Sequence, residues 1–415
     1  NVILDGVLRE SLKKINKINY KGKEFLFSEN NIQEAIQKIK NVKFEGLLKT
    51  SELIYDLLTL GESFEQIVEG DRRSFQLKYI DFDNIQNNDF HIAYEFEVER
   101  ATTSDKIRPD IVLFVNGLPL CVIECKSPKI EAEEAISQNI RNQGSEYSPK
   151  LFTYTQSLLA INKNEAKYGT TGAESKFWGV WNELEDREED ILKAVNSPLK
   201  EEQKIKLFAG DFEHLRNYFD EQEKAPRLIT TQDKAIYSLA RPERLLEIIN
   251  NFIVYDSGIK KIARYQQFFV VKSTLRRIGR FDKNNNRNGG VIWHTQGSGK
   301  SLTMVMLARA ICLSKEVKNP RLLLVTDRSD LDDQLGKTFA NCGMEKVRAT
   351  SGKKLIEHLK NKKQVITTLI HKFDKAFSAE KFIDESRDIF VLVDESHRTN
   401  FGAFSATTRQ MLPNS

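Results

Sequence analysis

Four cysteines in 415 residues are too few for a disulfide framework. Cys121 and Cys125 stand four apart, yet no second Cys or His pair lies near them, so zinc is not indicated. On one strand they share a face, as packing residues. This cysteine usage suits a reduced, cytoplasmic setting. No run approaches the roughly 18 uncharged apolar residues that span a bilayer, so no membrane partner is expected. The opening Asn1-Val2-Ile3-Leu4-Asp5 lacks the basic segment and apolar core of a secretion signal. It also lacks an initiator Met, and the chain is expected to be processed or trimmed. Charge of one sign is missing too: 63 basic against 59 acidic residues leave +4, so any surface for a polyanion must be a local patch. There is no internal repeat or low-complexity tract.

What is present is an ordinary soluble composition, 40% apolar and 29% charged, in a chain long enough for two or three domains. Residues 1 to about 60 read as helical, with apolar residues three and four apart in Asn31–Ile39 and Leu53–Leu58. Phe75–Ile80 and Ala93–Val98 alternate as strands do. Two stronger apolar runs, Ile111–Val115 and Leu120–Cys125, flank Asn116-Gly117-Leu118-Pro119, and Asn-Gly between such runs signals a hairpin. A helix starts near Glu131, and 151–160 reads as a strand region. Residues 183–235 are charge-dense, with helices expected over Glu183–Val195 and Phe212–Phe219. From about 245 the pattern becomes strand, loop, helix, strand. Buried strands are expected at Gly290–His294, Leu322–Thr326, Val365–Thr368 and Ile389–Asp394, an arrangement for a parallel sheet covered on both faces. The expected division is 1–180, a connector at 181–244, and 245–415.

His294-Thr295-Gln296-Gly297-Ser298-Gly299-Lys300-Ser301 precedes a helical run from Leu302, the context of a phosphate-binding loop. Gly297 and Gly299 let backbone N–H groups face a polyphosphate, assisted by Thr295, Ser298 and the helix N-terminus. Lys300 would reach the β and γ phosphates of ATP, and the Ser301 hydroxyl would help hold Mg²⁺. His294 stands where the usual pattern has glycine. The apolar run ending in Asp394-Glu395 supplies one carboxylate for the Mg²⁺ water shell, Asp394, and a second, Glu395, to polarise an attacking water.

Arg108-Pro109-Asp110 followed by Glu124-Cys125-Lys126 is the second constellation. A two-residue turn at Asn116-Gly117 would set Asp110 opposite Ile123. A four-residue loop through Pro119 would set it opposite Cys125, so either way it falls within one residue of Glu124. Glu124 and Lys126 share a face because side chains repeat every second residue. Two carboxylates, Asp110 and Glu124, suit a hard Mg²⁺ ion, while Lys126 can orient a nucleophile or stabilise developing charge. For E-x-K alone, an edge salt bridge is the commoner explanation.

Taken together these motifs resemble known families. Asp394-Glu395-Ser396-His397 resembles motif II of superfamily 2 helicases and translocases, Leu324–Arg328 their motif Ia, and Ile366-Thr367-Thr368 their motif Ib. That resemblance makes Thr326, Arg328 and Thr368 candidate nucleic-acid phosphate contacts. Arg264-Tyr265-Gln266-Gln267 is similar to the adenine-reading Q motif, with Gln266 or Gln267 as reader. The P-D…E-x-K arrangement resembles PD-(D/E)xK nucleases. A nuclease placed before such a motor is similar to the restriction (R) subunit of type I restriction–modification enzymes, as are the phrases Tyr55–Gly61, Tyr79–Phe82 and Arg108–Gly117.

The fold so implied is α/β: a PD-(D/E)xK nuclease-like domain, then one RecA-like doubly wound parallel-sheet domain. Such families carry a Q-x-x-x-Y element after the lysine; Gln138 matches it as a catalytic candidate, whereas Asn142 stands at the tyrosine position and Tyr147 is the alternative. The resemblance implies ATP-driven translocation of double-stranded DNA, non-specific Mg²⁺-dependent cutting at a distance, and methyltransferase and specificity subunits as partners. With the second motor domain missing, this polypeptide is expected to bind ATP weakly and hydrolyse it poorly. The alternatives are another nuclease–helicase, of the type III restriction or DNA-repair kind, and a non-catalytic ATP-responsive DNA-binding scaffold. Domain order counts against the first, since the nuclease there typically follows the motor. The full set of nuclease and motor residues counts against the second.

Overall fold

The computed structural model describes residues 2–283, 286–295, 298–326, 339, 345–369, 382–394, 406 and 408–415. The chain opens with α1 (Asp5–Ile15), a hairpin of β1 (Lys17–Tyr20) and β2 (Lys23–Leu26), then α2 (Glu29–Lys40) and α3 (Leu47–Leu60). On α2 the buried Ile32, Ala35, Ile36 and Ile39 recur at helical spacing, and Ser28 caps it by accepting from Asn31 N at 3.2 Å. The hairpin departs from the all-helical expectation for this stretch. Its turn, Lys21-Gly22, has φ of 48° and 77°, and the backbone twist of two positive-φ residues matches paired strands.

A second hairpin follows, β3 (Glu62–Val68) with β4 (Asp71–Leu77). The central sheet is then built from β5 (Phe90–Tyr94), β8 (Ile111–Val115), β9 (Leu118–Cys125), β10 (Ser157–Ile161) and β11 (Ala166–Gly169), in the order β11-β10-β9-β8-β5. A small β6–β7 ribbon (Val98–Glu99 and Lys106–Ile107) leads into β8. β9 and β10 are parallel and joined through α4 (Ala132–Asn142) and α5 (Pro149–Tyr154). The helix at 149–154 occupies the first half of the stretch read as a strand region. Every residue of β9 from Leu118 to Glu124 is buried, as befits a strand covered on both faces.

After β11 come three short helices, α6 (Glu188–Val195), α7 (Glu201–Leu207) and α8 (Arg216–Glu223), then α9 (Thr231–Ala240) and α10 (Pro242–Asn251). A hairpin, β12 (Ile253–Asp256) and β13 (Ile259–Ile262), precedes α11 (Tyr265–Ile278) and α12 (Lys300–Leu313). The last sheet is parallel: β14 (Arg321–Thr326), β15 (Lys346–Ala349), β16 (Val365–Leu369) and β17 (Ile389–Val393), ordered β15-β16-β14-β17, with α13 (Gly352–Lys360) between β15 and β16. Leu322 and Leu324 of β14 join the main core while Leu323 and Val325 join a second apolar cluster, so both faces of this sheet are covered.

Gly290–His294, expected as a strand, is not one. Val291 and Trp293 are 82% and 90% exposed, and no described strand runs beside them. Apolar composition permits a strand, but only a ladder partner makes one.

The main core is continuous from α1 to one face of the parallel sheet, where Leu322, Leu324, Val365 and Phe390 belong to it. Tyr55 of α3 donates its hydroxyl to the carbonyls of Ile249 (3.0 Å) and Ile253 (3.2 Å), and Tyr168 of β11 donates to Ala263 O at 2.7 Å. Arg244 of α10, 3% exposed, pairs with Glu183 at 2.9 Å while its guanidinium lies 4.6 Å from the Phe268 ring. The tyrosine contacts tie residues 249–263 to α3 and β11, and the Arg244–Glu183 pair closes the segment 183–244 on itself. Among the described residues no helix is long and apolar enough to cross a membrane.

Candidate functional site

The β8–β9 hairpin turns on Asn116 and Gly117, with φ of 51° and 80°, as the two-residue expectation requires. The turn is buried. Asn116 donates to Tyr79 O (2.9 Å) and Asn88 Oδ1 (2.8 Å), and Gly117 O accepts from Leu4 N at 2.9 Å. Asp81, in one of the phrases singled out above, accepts from the backbone N–H groups of Asp83 and Asn84, so it shapes a loop under this turn.

The ladder runs Val115 to Leu118 and Phe114 to Pro119, then shifts: Leu113 faces Cys121, Val112 faces Val122 and Ile111 faces Ile123. Leu120 is the extra residue of a β-bulge. The shift places Asp110 opposite Glu124. This corrects both registers weighed from sequence, which put Asp110 opposite Ile123 or Cys125. It matters because directly opposed residues project from the same face, whereas a one-residue offset sends them to opposite faces.

Asp110 Oδ2 accepts from Cys125 N at 2.6 Å, and Asp110 O accepts from Glu95 N of the neighbouring chain segment at 2.9 Å. Glu124 is fully buried, within hydrogen-bonding reach of the Asp110 carboxyl. Burial, then the negative charge of Asp110, push the Glu124 carboxyl up to about 8, with Lys126 opposing. The same burial, with both carboxylates, raises the Cys125 thiol to about 11. Gln138 bridges the group: its Nε2 donates to Glu124 Oε2 at 2.8 Å, and its Oε1 accepts from Lys126 Nζ at 2.5 Å. Asn142, one turn further along α4, donates to Glu124 Oε1 at 3.4 Å.

All four nuclease candidates therefore gather at one end of the sheet. Asn142 joins them unforeseen, although its position four residues after Gln138 on one helix face was a readable signal. The Tyr147 ring lies 4.9 Å from the Arg100 guanidinium and 5.7 Å from that of Arg141.

A buried carboxyl beside a half-buried one is a costly arrangement without a cation, and that donor set fits a hard divalent ion that completes its shell with water and phosphate oxygens. Among the described residues no cluster of three or more His, Cys, Asp or Glu side chains forms a self-sufficient metal cage.

The second site lies at the N-terminus of α12. Gly299, at φ 82°, is its N-cap, and Lys300 and Ser301 form its first turn. Thr295 O accepts from Ser298 Oγ at 2.7 Å. Gln267 binds this loop: its Nε2 donates to Gly299 O (3.1 Å) and Ser298 O (3.4 Å), while its Oε1 accepts from Arg264 N at 2.8 Å. Gln266, by contrast, is exposed. Burial and the Lys300 charge lower His294 from its ordinary value. Asp394 directly follows β17, its N–H bonded to Val325 O at 2.9 Å, and the buried Thr326 and Thr368 lie at the same carboxyl edge of the parallel sheet. Ligands of open parallel sheets bind at that edge. Gln296, Gly297, Arg328 and Glu395 lie outside the described residues.

Comparison with known proteins gives two family matches. Residues 1–177 match the type I restriction enzyme R protein N terminus, and residues 266–415 match the SWI2/SNF2 ATPase family. The chain is 28% identical over 421 residues to the type I restriction enzyme HindI endonuclease subunit of Haemophilus influenzae, covering 97% of this chain and 36% of that protein. It is 29% identical over 391 residues to a Methanocaldococcus jannaschii protein provisionally named the type I restriction enzyme MjaIXP endonuclease subunit, covering 92% and 35%. These matches support an R-subunit fragment of a type I restriction enzyme. It spans about a third of the length of these relatives. The two matches bracket the two sites: Asp110, Glu124, Lys126 and Gln138 fall in the R-protein segment, and the phosphate loop and Asp394 fall in the ATPase segment.

Proposed function

We propose that this chain cuts DNA phosphodiesters with a Mg²⁺ ion held by Asp110 and Glu124, under the control of an ATP-driven motor that moves duplex DNA. The observation that carries the reading is the bulge-set pairing of Asp110 with Glu124 on one face. In the hydrolysis, a water oxygen bonds to phosphorus as the bond to the leaving sugar oxygen breaks. When bound, the metal acidifies that water and neutralises phosphate charge. The chain's own groups do the rest. Asp110, fixed by Cys125 N–H, and Glu124, fixed by Gln138, present acceptors in a set geometry. Lys126 orients the water or meets the charge developing on the phosphate, held in reach by the Gln138 carbonyl.

In the motor segment, Thr295, Gly297, Ser298, Gly299 and Lys300 would cradle the ATP phosphates. Ser301 and Asp394 would hold its Mg²⁺, and Glu395 would orient water for hydrolysis. The open N-terminal amides of α12 fit an anion. Gln267 is the better placed of the two glutamines to link nucleotide to loop, since it already touches the loop's carbonyls. We further propose a nuclease unit at 1–180, a connector at 181–244 and a motor unit at 245–415, acting in the cytoplasm with methyltransferase and specificity subunits that choose the DNA site. The near-balanced charge suits a subunit that shares its DNA with partners.

In the complete assembly, Asp110→Ala or Lys126→Ala should abolish cutting and spare ATP turnover. Lys300→Ala should abolish both, because cutting awaits translocation. Lys300→Ala complexes that still cut with normal ATP dependence would show the motor assignment to be wrong.

A further inference from the structure

Lys260 of β13 is buried to 2% exposure, yet no described carboxylate lies within ion-pair distance of it. Its ammonium donates to Ser51 Oγ at 3.1 Å and to Thr155 O at 3.0 Å, with the Tyr255 ring 5.7 Å away. Burying a cation on neutral acceptors is expensive, and leucine or methionine would fill the space at less cost. Burial alone holds this amine well below its ordinary value.

The acceptor is informative. Thr155 O belongs to the same peptide group as Gln156 N–H, and Gln156 N donates to Leu120 O at 2.8 Å. Leu120 is the bulge residue that has no partner on β8, so its carbonyl is satisfied from the β10 side instead. The hydrogen bonds therefore run from the Lys260 ammonium through the Thr155–Gln156 peptide to the bulge. A donor at one end of an amide polarises it and strengthens the bond made at the other. Thr155 Oγ1 also reaches Leu151 O (3.1 Å) and Pro119 O (3.4 Å), which fastens the same junction.

We propose that Lys260 is a positioning residue for the Asp110–Glu124 pair: by gripping the Thr155–Gln156 peptide it fixes the Leu120 bulge, and with it the register that puts both carboxylates on one face. The β12–β13 hairpin that carries Lys260 runs directly into α11, whose Gln267 touches the phosphate loop. One short segment thus contacts the peptide beside the bulge and the phosphate loop. This inference rests on the nuclease reading above.

The test compares Lys260→Met, Lys260→Gln and Ser51→Ala in this chain, by hydrogen exchange and by calorimetric titration with Ca²⁺ as a non-catalytic probe. Lys260→Met should speed exchange at Gln156 and at Cys121–Cys125 by about tenfold relative to the amides of β14, and weaken Ca²⁺ binding about tenfold. Lys260→Gln, which keeps a donor, should recover most of both, and Ser51→Ala should change neither. Uniform acceleration of all slow amides, with Ca²⁺ affinity intact, would reduce Lys260 to a general stabiliser and overturn the inference. Should Lys260→Met fail to fold, Lys260→Leu, which also removes the donor, is compared with Lys260→Gln in its place. Asp110→Asn separates the two claims. Unchanged Ca²⁺ binding in that variant would defeat the carboxylate-pair reading, while exchange at Gln156 still decides the role of Lys260.

Discussion

Replacing Glu124 with glutamine should make the metal-free protein more stable at alkaline pH, an unusual result for a buried, hydrogen-bonded side chain. The folded carboxyl is pushed from 4.5 up to about 8. Between those values the folded state holds a proton that the unfolded chain has released. Stability therefore falls as pH rises through this window, by about 1.4 kcal/mol per unit, and levels off above it. Glutamine has the shape of the protonated acid and no such slope. From pH 6 to pH 8 the wild type should lose about 2 kcal/mol relative to Glu124→Gln. The substitution puts at risk the long bond from Asn142, worth about 1 kcal/mol or less. Urea unfolding followed by tryptophan fluorescence, in chelator, at pH 6 and pH 8 measures the difference. Saturating Ca²⁺ should flatten the wild-type slope, because the ion takes the place of the proton. Parallel pH dependences for the two proteins would refute the idea that this carboxyl is strained by its surroundings and neighbour.

Three further outcomes follow from the geometry. Gly299→Ala adds a Cβ that would meet Gln267 Nε2 at 2.7 Å, at φ 82°. Nucleotide binding, read by fluorescent-ATP titration, should weaken tenfold or more (about 1–2 kcal/mol for the left-handed backbone alone). Gly117→Ala meets backbone, Leu4 O at 2.6 Å, so the hairpin turn must shift; about 2–4 kcal/mol of unfolding free energy should be lost in urea titration. Tyr55→Phe leaves the Ile249 and Ile253 carbonyls without their buried donor and should cost about 1–3 kcal/mol by the same method, with cleavage in the assembled enzyme unaffected.

Much of this architecture was legible because the strongest signals are local. Asn116-Gly117 between apolar runs dictates a hairpin, and Gly299-Lys300-Ser301 opens a helix whatever surrounds it. The register was less legible. Leu118–Ile123 is apolar throughout, so it reads equally well in either phase, and nothing in its pattern reveals that Leu120 bulges out. Pro119, a residue without an N–H early in a central strand, was the available hint. Lys260 was invisible for a different reason: a lysine in Ile-Lys-Lys-Ile reads as a solvated edge, and only tertiary packing buries it. Residues 290–294 erred in the opposite sense, since their apolar character promised a partner strand that the described residues do not supply.

The central claim is that Asp110 and Glu124 together hold a divalent ion, and anomalous diffraction from crystals soaked in Mn²⁺ tests it most directly. A peak bridging the two carboxyl groups beside Lys126 is expected, with Asp110 paired across from Glu124. A peak elsewhere, or an Asp110 that faces Ile123 and points to the far side of the sheet, would contradict it.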